Sequence, residues 1–321
     1  MSTFDARSLN LGVETAEIRP LLQTKPYVHF AWIVINWALI IATAVLTWQY
    51  LHPLTYMLAV TIIGARMHAL AILMHDASHF RFLKNRKAND LLTNLLTMYP
   101  IYTSIEKYRA NHFKHHRHLN TEDDPDWFAK LGQPAFTFPK SKQEFVLTVL
   151  SYFFMIRGVK DAIWFVKRFA GPAKNTGAKS EKPWGQLAFY AVMVVLLTYF
   201  GLWLPYLIFW VIPYFSTFFM FQYVRSVAEH FGELAYDHLL TSTRTIKVYG
   251  IEKFFFAPHN VGFHLEHHLY PGVPFYHLPK LHQLLMSKAE YAHKAHITYG
   301  YVGGLLNELG KLTSPSQPAM S

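Results

Sequence analysis

The sequence predicts an all-α integral membrane protein with four transmembrane helices in two hairpins and a cytoplasmic helical cap. Of its 321 residues, 52% are hydrophobic and 17% are aromatic, as is typical of membrane proteins. Two long runs, from Pro26 to Ala65 and from Pro183 to Val224, contain no Asp, Glu, Lys or Arg. The chain also has nineteen histidines and no cysteine, which leaves imidazole as its main transition-metal ligand.

The first uncharged run is too long for one membrane crossing. As a single helix it would extend for roughly 60 Å at 1.5 Å per residue, whereas the hydrocarbon core of a bilayer is about 30 Å thick. Pro53 disfavours a continuous helix, both through its own ring and through its effect on His52. We therefore predict two spans, over residues 28–50 and 54–79, joined by a short turn.

The second uncharged run has a similar length and is also predicted to form a hairpin. Gly201 and Pro205 mark a turn near its middle, because both residue types interrupt regular structure. We predict spans over residues 185–201 and 204–230.

The basic residues determine the predicted orientation. Neither hairpin turn contains Lys or Arg, whereas the segment between the hairpins is rich in both. The positive-inside rule therefore places both termini and the two cap segments, residues 80–182 and 231–321, in the cytoplasm. The net charge of +10 fits a surface next to anionic lipid or an acidic partner. Nucleic-acid binding is disfavoured because the basic residues are dispersed and form no known nucleic-acid motif.

Three groups of histidines, named here the histidine boxes, carry the main functional signal. Their spacings of three and four residues place the members of each box on one face of a helix. The boxes are His75 and His79, then His112, His115 and His116, and finally His264, His267 and His268. Eight histidines exceed the four ligands of one tetrahedral zinc ion. The boxes therefore predict two metal ions, and iron is the natural candidate for oxygen chemistry at imidazole ligands.

An isolated histidine is predicted to be a ninth ligand. His230 lies at the end of the fourth predicted span, as the first box lies at the end of the second. The two long helices can therefore supply ligands from one side of the site, and the other two boxes from the opposite side. The alternative is a helix-end histidine that bonds to Glu229 or to a backbone carbonyl.

Polar residues beside the boxes have two interpretations. Asp76, Glu229 and Glu266 could orient ligand imidazoles, or they could form ordinary salt bridges. The acidic run from Glu122 to Asp126 is predicted to be a solvated loop, and the alternatives are a docking site for a basic partner or a segment that closes over the site. His282 is predicted to be a surface or interfacial residue.

The order and placement of the boxes resemble the integral-membrane fatty acid desaturase superfamily, which includes membrane hydroxylases and carotenoid ketolases. The resemblance extends from about His75 to His282, and its most specific part runs from His259 to Pro274. It implies a di-iron centre with two Fe²⁺ ions held by the nine histidines named above. It also implies four spans with cytoplasmic termini and an O₂-dependent attack on an unactivated C–H bond.

The resemblance favours desaturation of a fatty acyl or similar aliphatic chain. A hydroxylase or ketolase acting on a lipid, a carotenoid or a small amphiphilic metabolite would use every residue named above. Because the chain has no cysteine, it cannot hold an iron–sulfur cluster with thiolate ligands. Electrons are therefore expected from an external donor, such as a ferredoxin with its reductase. The expected location of the protein is a bacterial inner membrane.

Two functions of other classes fit the pattern less well. A metal transporter needs coordinating groups near the bilayer midplane, whereas the second uncharged run contains no histidine and the boxes cluster at span ends. A zinc hydrolase of the common type carries a His-Glu-x-x-His motif. The sequence has no such motif, and its histidines are too many for one zinc ion.

Overall fold

The computed structural model describes residue 9, residues 11–169 and residues 183–311. This part of the chain is mostly helical. The chain divides into two compact units, which are described separately. Unit 1 comprises Met1–Thr24, Asn111–Thr148 and Val224–Ser321, and unit 2 comprises Lys25–Ala110 and Val149–Tyr223. Residues 170–182 of the predicted cap and the extreme terminal segments lie outside the described residues.

Unit 2 contains most of the long apolar helices. Its helical segments are Pro26–Gln49, Pro53–Ser78, Arg86–Thr93, Asn94–Met98, Tyr99–Ile101, Ile156–Phe169 and Trp184–Tyr199. The unit boundaries fall inside three further helices, Ile105–Arg117, Lys142–Phe153 and Trp203–His230. The last of these contains two π-helical segments, Leu207–Val211 and Tyr214–Phe218.

Three helices of the described chain are long and apolar enough to cross a membrane. They are Pro26–Gln49, Pro53–Ser78 and Trp203–His230, with mean hydropathies of 2.1, 1.8 and 1.6. The predicted span at residues 185–201 corresponds to the 16-residue helix Trp184–Tyr199, which extends only about 24 Å at 1.5 Å per residue. The apolar helices are compatible with membrane insertion, and the arrangement of four spans stays a prediction.

The turn between the first two long helices is specified by its local sequence. One helix ends at Gln49 and the next begins at Pro53, whose missing N–H and fixed φ suit the first helical position. His52 caps this helix, since its Nδ1 accepts the N–H of Leu54 at 3.3 Å. Its own N–H donates to Oγ1 of Thr55 at 3.1 Å. These two bonds satisfy backbone groups that the start of a helix leaves unpaired.

A glycine permits close helix packing within unit 2. A Cβ added at Gly64 would lie 2.0 Å from Oγ1 of Thr217, on the helix Trp203–His230. The Thr217 hydroxyl donates to the carbonyl of Val60 at 2.6 Å. Small residues of this kind allow two helix backbones to approach closely in membrane proteins.

We expect the substitution Gly64→Ala to destabilise the protein by about 1–3 kcal/mol, the usual cost of overpacking a filled site. The measurement is the thermal unfolding midpoint of the purified protein in detergent. Gly303→Ala is the matched control, because a Cβ added there meets nothing within 4 Å. Equal midpoints for the two variants would contradict the packing role of Gly64.

Unit 1 consists of short helices and two short strands. The strands Thr245–Lys247 and Ile297–Tyr299 pair in parallel, with Thr245 opposite Ile297. The helical segments are Thr15–Ile18, Arg19–Leu22, Pro125–Phe128, Pro134–Phe136, Leu239–Ser242, Gly250–Phe255, Pro258–Asn260, His264–Leu269, Phe275–His277, Leu278–Met286, Ala289–Lys294, Gly300–Leu305 and Leu306–Glu308.

A leucine-rich core supports the helix of the third box in unit 1. Leu265 and Leu269 of the helix His264–Leu269 are buried in this core, together with Leu281 and Leu285 of a neighbouring helix. Because i and i+4 residues share a helical face, burial of these two leucines fixes how the helix is rotated. The rotation determines the direction in which the histidines of the box project.

Candidate metal centre

Two sets of histidines converge within unit 1. The ligand atoms of His115, His230, His264 and His268, named here set B, all lie within 4.8 Å of one another, and the four side chains are buried. Nε2 of His264 lies 2.9 Å from Nε2 of His230 and 3.0 Å from Nε2 of His268. Four ring nitrogens therefore point into one small volume.

The other set in unit 1, named here set A, consists of His112, His116 and His267. Their ligand atoms also lie within 4.8 Å of one another. Nε2 of His116 is 3.0 Å from Nε2 of both His112 and His267. His112 and His267 are buried, whereas His116 is partly exposed.

The second and third boxes contribute to the two sets in a reciprocal way. On the helix Ile105–Arg117, the i and i+4 histidines of the box belong to set A and the i+3 histidine to set B. On the helix His264–Leu269 the assignment is reversed, because its i and i+4 histidines belong to set B and its i+3 histidine to set A. Each helix therefore supplies both sets.

The donors of both sets fit transition-metal ions. Two nitrogens bound at right angles to one cation, with bonds of about 2.1 Å, are separated by about 3.0 Å. The Nε2 separations of 2.9 and 3.0 Å in these sets match that spacing. A neutral imidazole has only one N–H, so hydrogen bonds alone satisfy four converging nitrogens poorly. An all-imidazole site suits zinc, copper, iron or nickel rather than magnesium or calcium.

The first box lies in unit 2. His75 is buried near the end of the helix Pro53–Ser78, and His79 is the residue that follows this helix. The two imidazole centroids are 5.7 Å apart, as the spacing of four residues predicts for one helical face. Their role as metal ligands stays a prediction.

A buried carboxylate contacts one imidazole of set B. Oδ2 of Asp124 lies 2.8 Å from Nδ1 of His115, and Oδ1 accepts the N–H groups of Asp126 and Trp127 at 2.9 and 3.2 Å. Burial lowers the pKa of His115, but the opposing charge of Asp124 is strong enough to raise the pKa above its ordinary value. With Nδ1 held by this carboxylate, Nε2 of His115 is left to face set B.

The predicted solvated loop at residues 122–126 is therefore wrong for Asp124. This side chain has no exposed surface, although Glu122 and Asp123 beside it are exposed. Asp124 is buried because it caps the helix Pro125–Phe128 on one side and bonds to an imidazole on the other. Helix capping by Asp before a proline at the first position was a signal that could have identified this role.

We expect Asp124→Ala to weaken metal binding by about 10–100-fold, as is typical when the partner of a ligand imidazole is removed. The measurement is a titration of metal-free protein with Co²⁺. The exposed neighbour Asp123 provides the control, since Asp123→Ala changes the local charge equally but removes no contact with His115. If both variants bound Co²⁺ as tightly as the wild type, Asp124 would have no orienting role.

The other acidic neighbours of the boxes differ in their contacts. Oε1 of Glu229 lies 2.7 Å from Nε of Arg225 and 3.4 Å from Nδ1 of His264, so it combines a salt bridge with contact to an imidazole of set B. Asp76, in unit 2, lies with Oδ2 3.6 Å from Nδ1 of His29, which belongs to no box. Glu229 therefore shows both predicted alternatives, a salt bridge to Arg225 and a contact with an imidazole of a histidine box.

Glu266 makes contacts of a third kind. Its carboxylate accepts hydrogen bonds from Oγ1 of Thr245 at 2.7 Å and from the hydroxyl of Tyr291 at 2.7 Å. Nδ1 of His282 lies 2.5 Å from the same carboxylate. The prediction of a surface position for His282 is wrong, because only 5% of this residue is exposed. Its burial follows from its bond to Glu266, a pairing that no local sequence pattern indicates.

Comparison with known proteins agrees with the chemistry of the site. A family model described as "Fatty acid desaturase" matches residues 51–300. Dihydrorhizobitoxine desaturase of Bradyrhizobium elkanii is 30% identical over 273 residues, which cover 79% of this chain and 73% of the relative. The sn-1 acyl-lipid omega-3 desaturase (ferredoxin) of Nostoc sp. (strain 36) is 24% identical, over 72% of this chain and 68% of the relative. Zeaxanthin 4-ketolase of Chlamydomonas reinhardtii is also 24% identical, over 87% of this chain and 54% of the relative.

Proposed function

The chain belongs to the fatty acid desaturase family, and from this membership we propose that it is a membrane-bound, O₂-dependent di-iron desaturase. Its relatives imply that it is an oxidoreductase. The proposed reaction introduces a double bond into a fatty acyl or similar aliphatic chain. The observation that carries the proposal is the convergence of seven buried or partly buried histidines into two sets within unit 1.

We propose all nine predicted histidines as ligands of two Fe²⁺ ions. The four residues of set B and the three of set A are supported by the distances between their ring nitrogens. His75 and His79 are included because of the order of the boxes in the sequence and their shared helical face. No cysteine is present to supply a thiolate, so imidazole is the characteristic donor.

In the proposed reaction, the protein would hold the iron through its histidines and fix the orientation of their rings. Bound iron would supply the oxidation of a C–H bond by O₂. Desaturation removes two hydrogen atoms from the substrate, and two electrons and two protons from outside complete the conversion of O₂ into two water molecules. Six histidines of sets A and B, which are His112, His116, His230, His264, His267 and His268, have Nε2 facing Nε2 of another ring and would hold the metal through that atom. Asp124 accepts the Nδ1–H of His115, which fixes the tautomer of that ring.

The name of one relative guides the proposed substrate and donor. One relative is named for an acyl-lipid substrate and for ferredoxin, so we propose a lipid or acyl substrate and an external ferredoxin with its reductase. We propose the bacterial inner membrane as the location, with the active site and both termini in the cytoplasm. The net charge of +10 supports contact with an acidic donor or with anionic lipid.

A second candidate is a hydroxylase or ketolase of the same family. The relative named zeaxanthin 4-ketolase aligns with 87% of this chain. Such an enzyme would use the same histidines, but oxygen would be added to the substrate. The mass of the product therefore distinguishes the two reactions.

The proposal is tested by measuring metal content and product mass together. Protein purified from bacterial membranes is analysed for iron and zinc per chain, and lipids and polar metabolites of the expressing cells are profiled by mass spectrometry. We expect two iron ions per chain and a product two hydrogens lighter than its precursor. A product heavier by oxygen would establish the second candidate instead, and zinc-loaded or metal-free protein would overturn the di-iron proposal.

A further inference from the structure

The proposed ligand His230 is the last residue of the helix Trp203–His230. The last carbonyls of a helix have no partner within the helix, and helix ends tend to fray. His230 is nevertheless buried, and its Nε2 lies 2.9 Å from Nε2 of His264. An imidazole can keep this position only if groups from outside the helix hold the helix end in place.

Two side chains of unit 1 bond to this helix end. The hydroxyl of Tyr236 donates to the carbonyl of His230 at 3.0 Å, and Nη2 of Arg244 donates to the carbonyl of Phe231 at 2.7 Å. Tyr236 is 6% exposed and Arg244 is 0% exposed, so water has little access to either bond. The positive charge of Arg244 is also favourable here, because the carbonyl end of a helix carries partial negative charge.

The chain after the helix packs closely against Arg244. Gly232 has a φ of +88°, which glycine adopts without strain. A Cβ added at Gly232 would lie 3.4 Å from Nη2 of Arg244 and 2.9 Å from Cδ2 of Leu309. Leu309 is fully buried. The turn at Gly232 therefore brings the helix end, the guanidinium and the C-terminal segment together.

Glu308 holds the guanidinium of Arg244 from the C-terminal segment. Its Oε2 lies 3.7 Å from Nη1 of Arg244 and 3.1 Å from Nε2 of His296, and its Oε1 accepts the hydroxyl of Thr298 at 2.7 Å. Burial acts to raise the pKa of Glu308, but the bond with His296 and the charge of Arg244 lower the pKa below its ordinary value. Within the described residues, Nε and Nη1 of Arg244 form no hydrogen bond. The carbonyl of Phe231 is therefore the acceptor that fixes the guanidinium on the helix side.

We propose that Arg244 and Tyr236 are positioning residues for the metal centre, because they fix the helix end that carries His230. The inference rests on the proposed function, since it takes His230 as a metal ligand. Both side chains act on the imidazole through the backbone of His230 and Phe231. Without either donor the last turn of the helix would be less ordered. A metal ion would then have to order this turn as it binds, which weakens its affinity.

The positioning role is tested by titrating metal-free Tyr236→Phe and Arg244→Met with Co²⁺. Tyr236→Phe removes only a hydroxyl and retains the ring that lies 4.8 Å from Trp127 between centroids. We expect Co²⁺ to bind one of two sites about 3–10-fold more weakly in Tyr236→Phe and about 10–100-fold more weakly in Arg244→Met, because hydrogen bonds from charged groups are the stronger ones. The absorption spectrum of Co²⁺ at that site should change as well, which a general loss of stability would not cause.

Tyr56→Phe and Arg19→Met are the matched controls. The hydroxyl of Tyr56 donates to the carbonyl of Ile208 at 2.9 Å, near the other end of the same long helix. Arg19 is an exposed arginine of unit 1. Both controls should retain the Co²⁺ affinity and spectrum of the wild type. Wild-type affinity and spectrum in Tyr236→Phe and Arg244→Met would overturn the positioning role.

A second measurement does not depend on metal. Amide hydrogen exchange of residues 227–231 in the metal-free protein reports how well the helix end is held. We expect exchange at least about 3-fold faster in Tyr236→Phe than in the wild type, and unchanged exchange would overturn the proposal. This variant also decides the matter if Arg244→Met fails to fold. Failure of the wild type to bind Co²⁺ would overturn the metal centre itself, while the exchange rates would still show whether these side chains hold the helix end.

Discussion

Replacement of His268 by alanine is expected to release one of the two proposed metal ions and to reduce product formation by at least about 1000-fold, which corresponds to about 4 kcal/mol of the activation barrier. His268 is 4% exposed, and its Nε2 lies 3.0 Å from Nε2 of His264. Its ring centroid is 4.4 Å from that of His116 in set A. The substitution therefore removes a donor from set B at the point where the two sets are closest.

The measurement for His268→Ala is iron per chain, combined with product analysis in the expressing cells. His293→Ala is the matched control, because His293 is exposed, lies in the short helix Ala289–Lys294 and belongs to neither set. We expect the control to retain the wild-type iron content and product yield. Equal iron content in the two variants would show that His268 is not a ligand.

The sequence predicts which histidines gather, but not how they divide between the two sets. Spacings of three and four residues place each box on one helical face, which depends only on helix geometry. The assignment of His115 to set B and of His267 to set A depends on how two helices meet, although they are about 150 residues apart in sequence. That arrangement is a property of tertiary packing, and no local pattern contains it.

The fold could be predicted best where one physical effect dominates. Long uncharged runs must form long apolar helices, and Pro53 ends one helix and begins another. Prediction was poorer where a polar side chain is buried by a distant partner. Asp124 and His282 look like solvent-exposed residues in the sequence, but Asp124 is buried against His115 of the second box and His282 against Glu266, which lies on the helix of the third box.

Substitution of Glu266 by alanine is expected to cause a large loss of stability, about 3–5 kcal/mol. The Glu266 side chain has no exposed surface, and its carboxylate bonds to Thr245, His282 and Tyr291 from three separate elements. Alanine would leave three buried polar groups without their shared acceptor. The measurement is the unfolding midpoint of the protein in detergent, by heat or by denaturant.

Two further variants separate the contribution of the buried carboxylate from that of negative charge in general. Glu290→Ala removes a carboxylate that is 36% exposed in its side chain and pairs with Lys294, so it should cost less than about 1 kcal/mol. Glu266→Gln retains one acceptor oxygen and should lose less stability than Glu266→Ala. Because Glu266 lies between the proposed ligands His264 and His267, we expect metal affinity in Glu266→Gln to fall together with stability. A Glu266→Ala protein as stable as Glu290→Ala would show that the third box is held by its leucines alone.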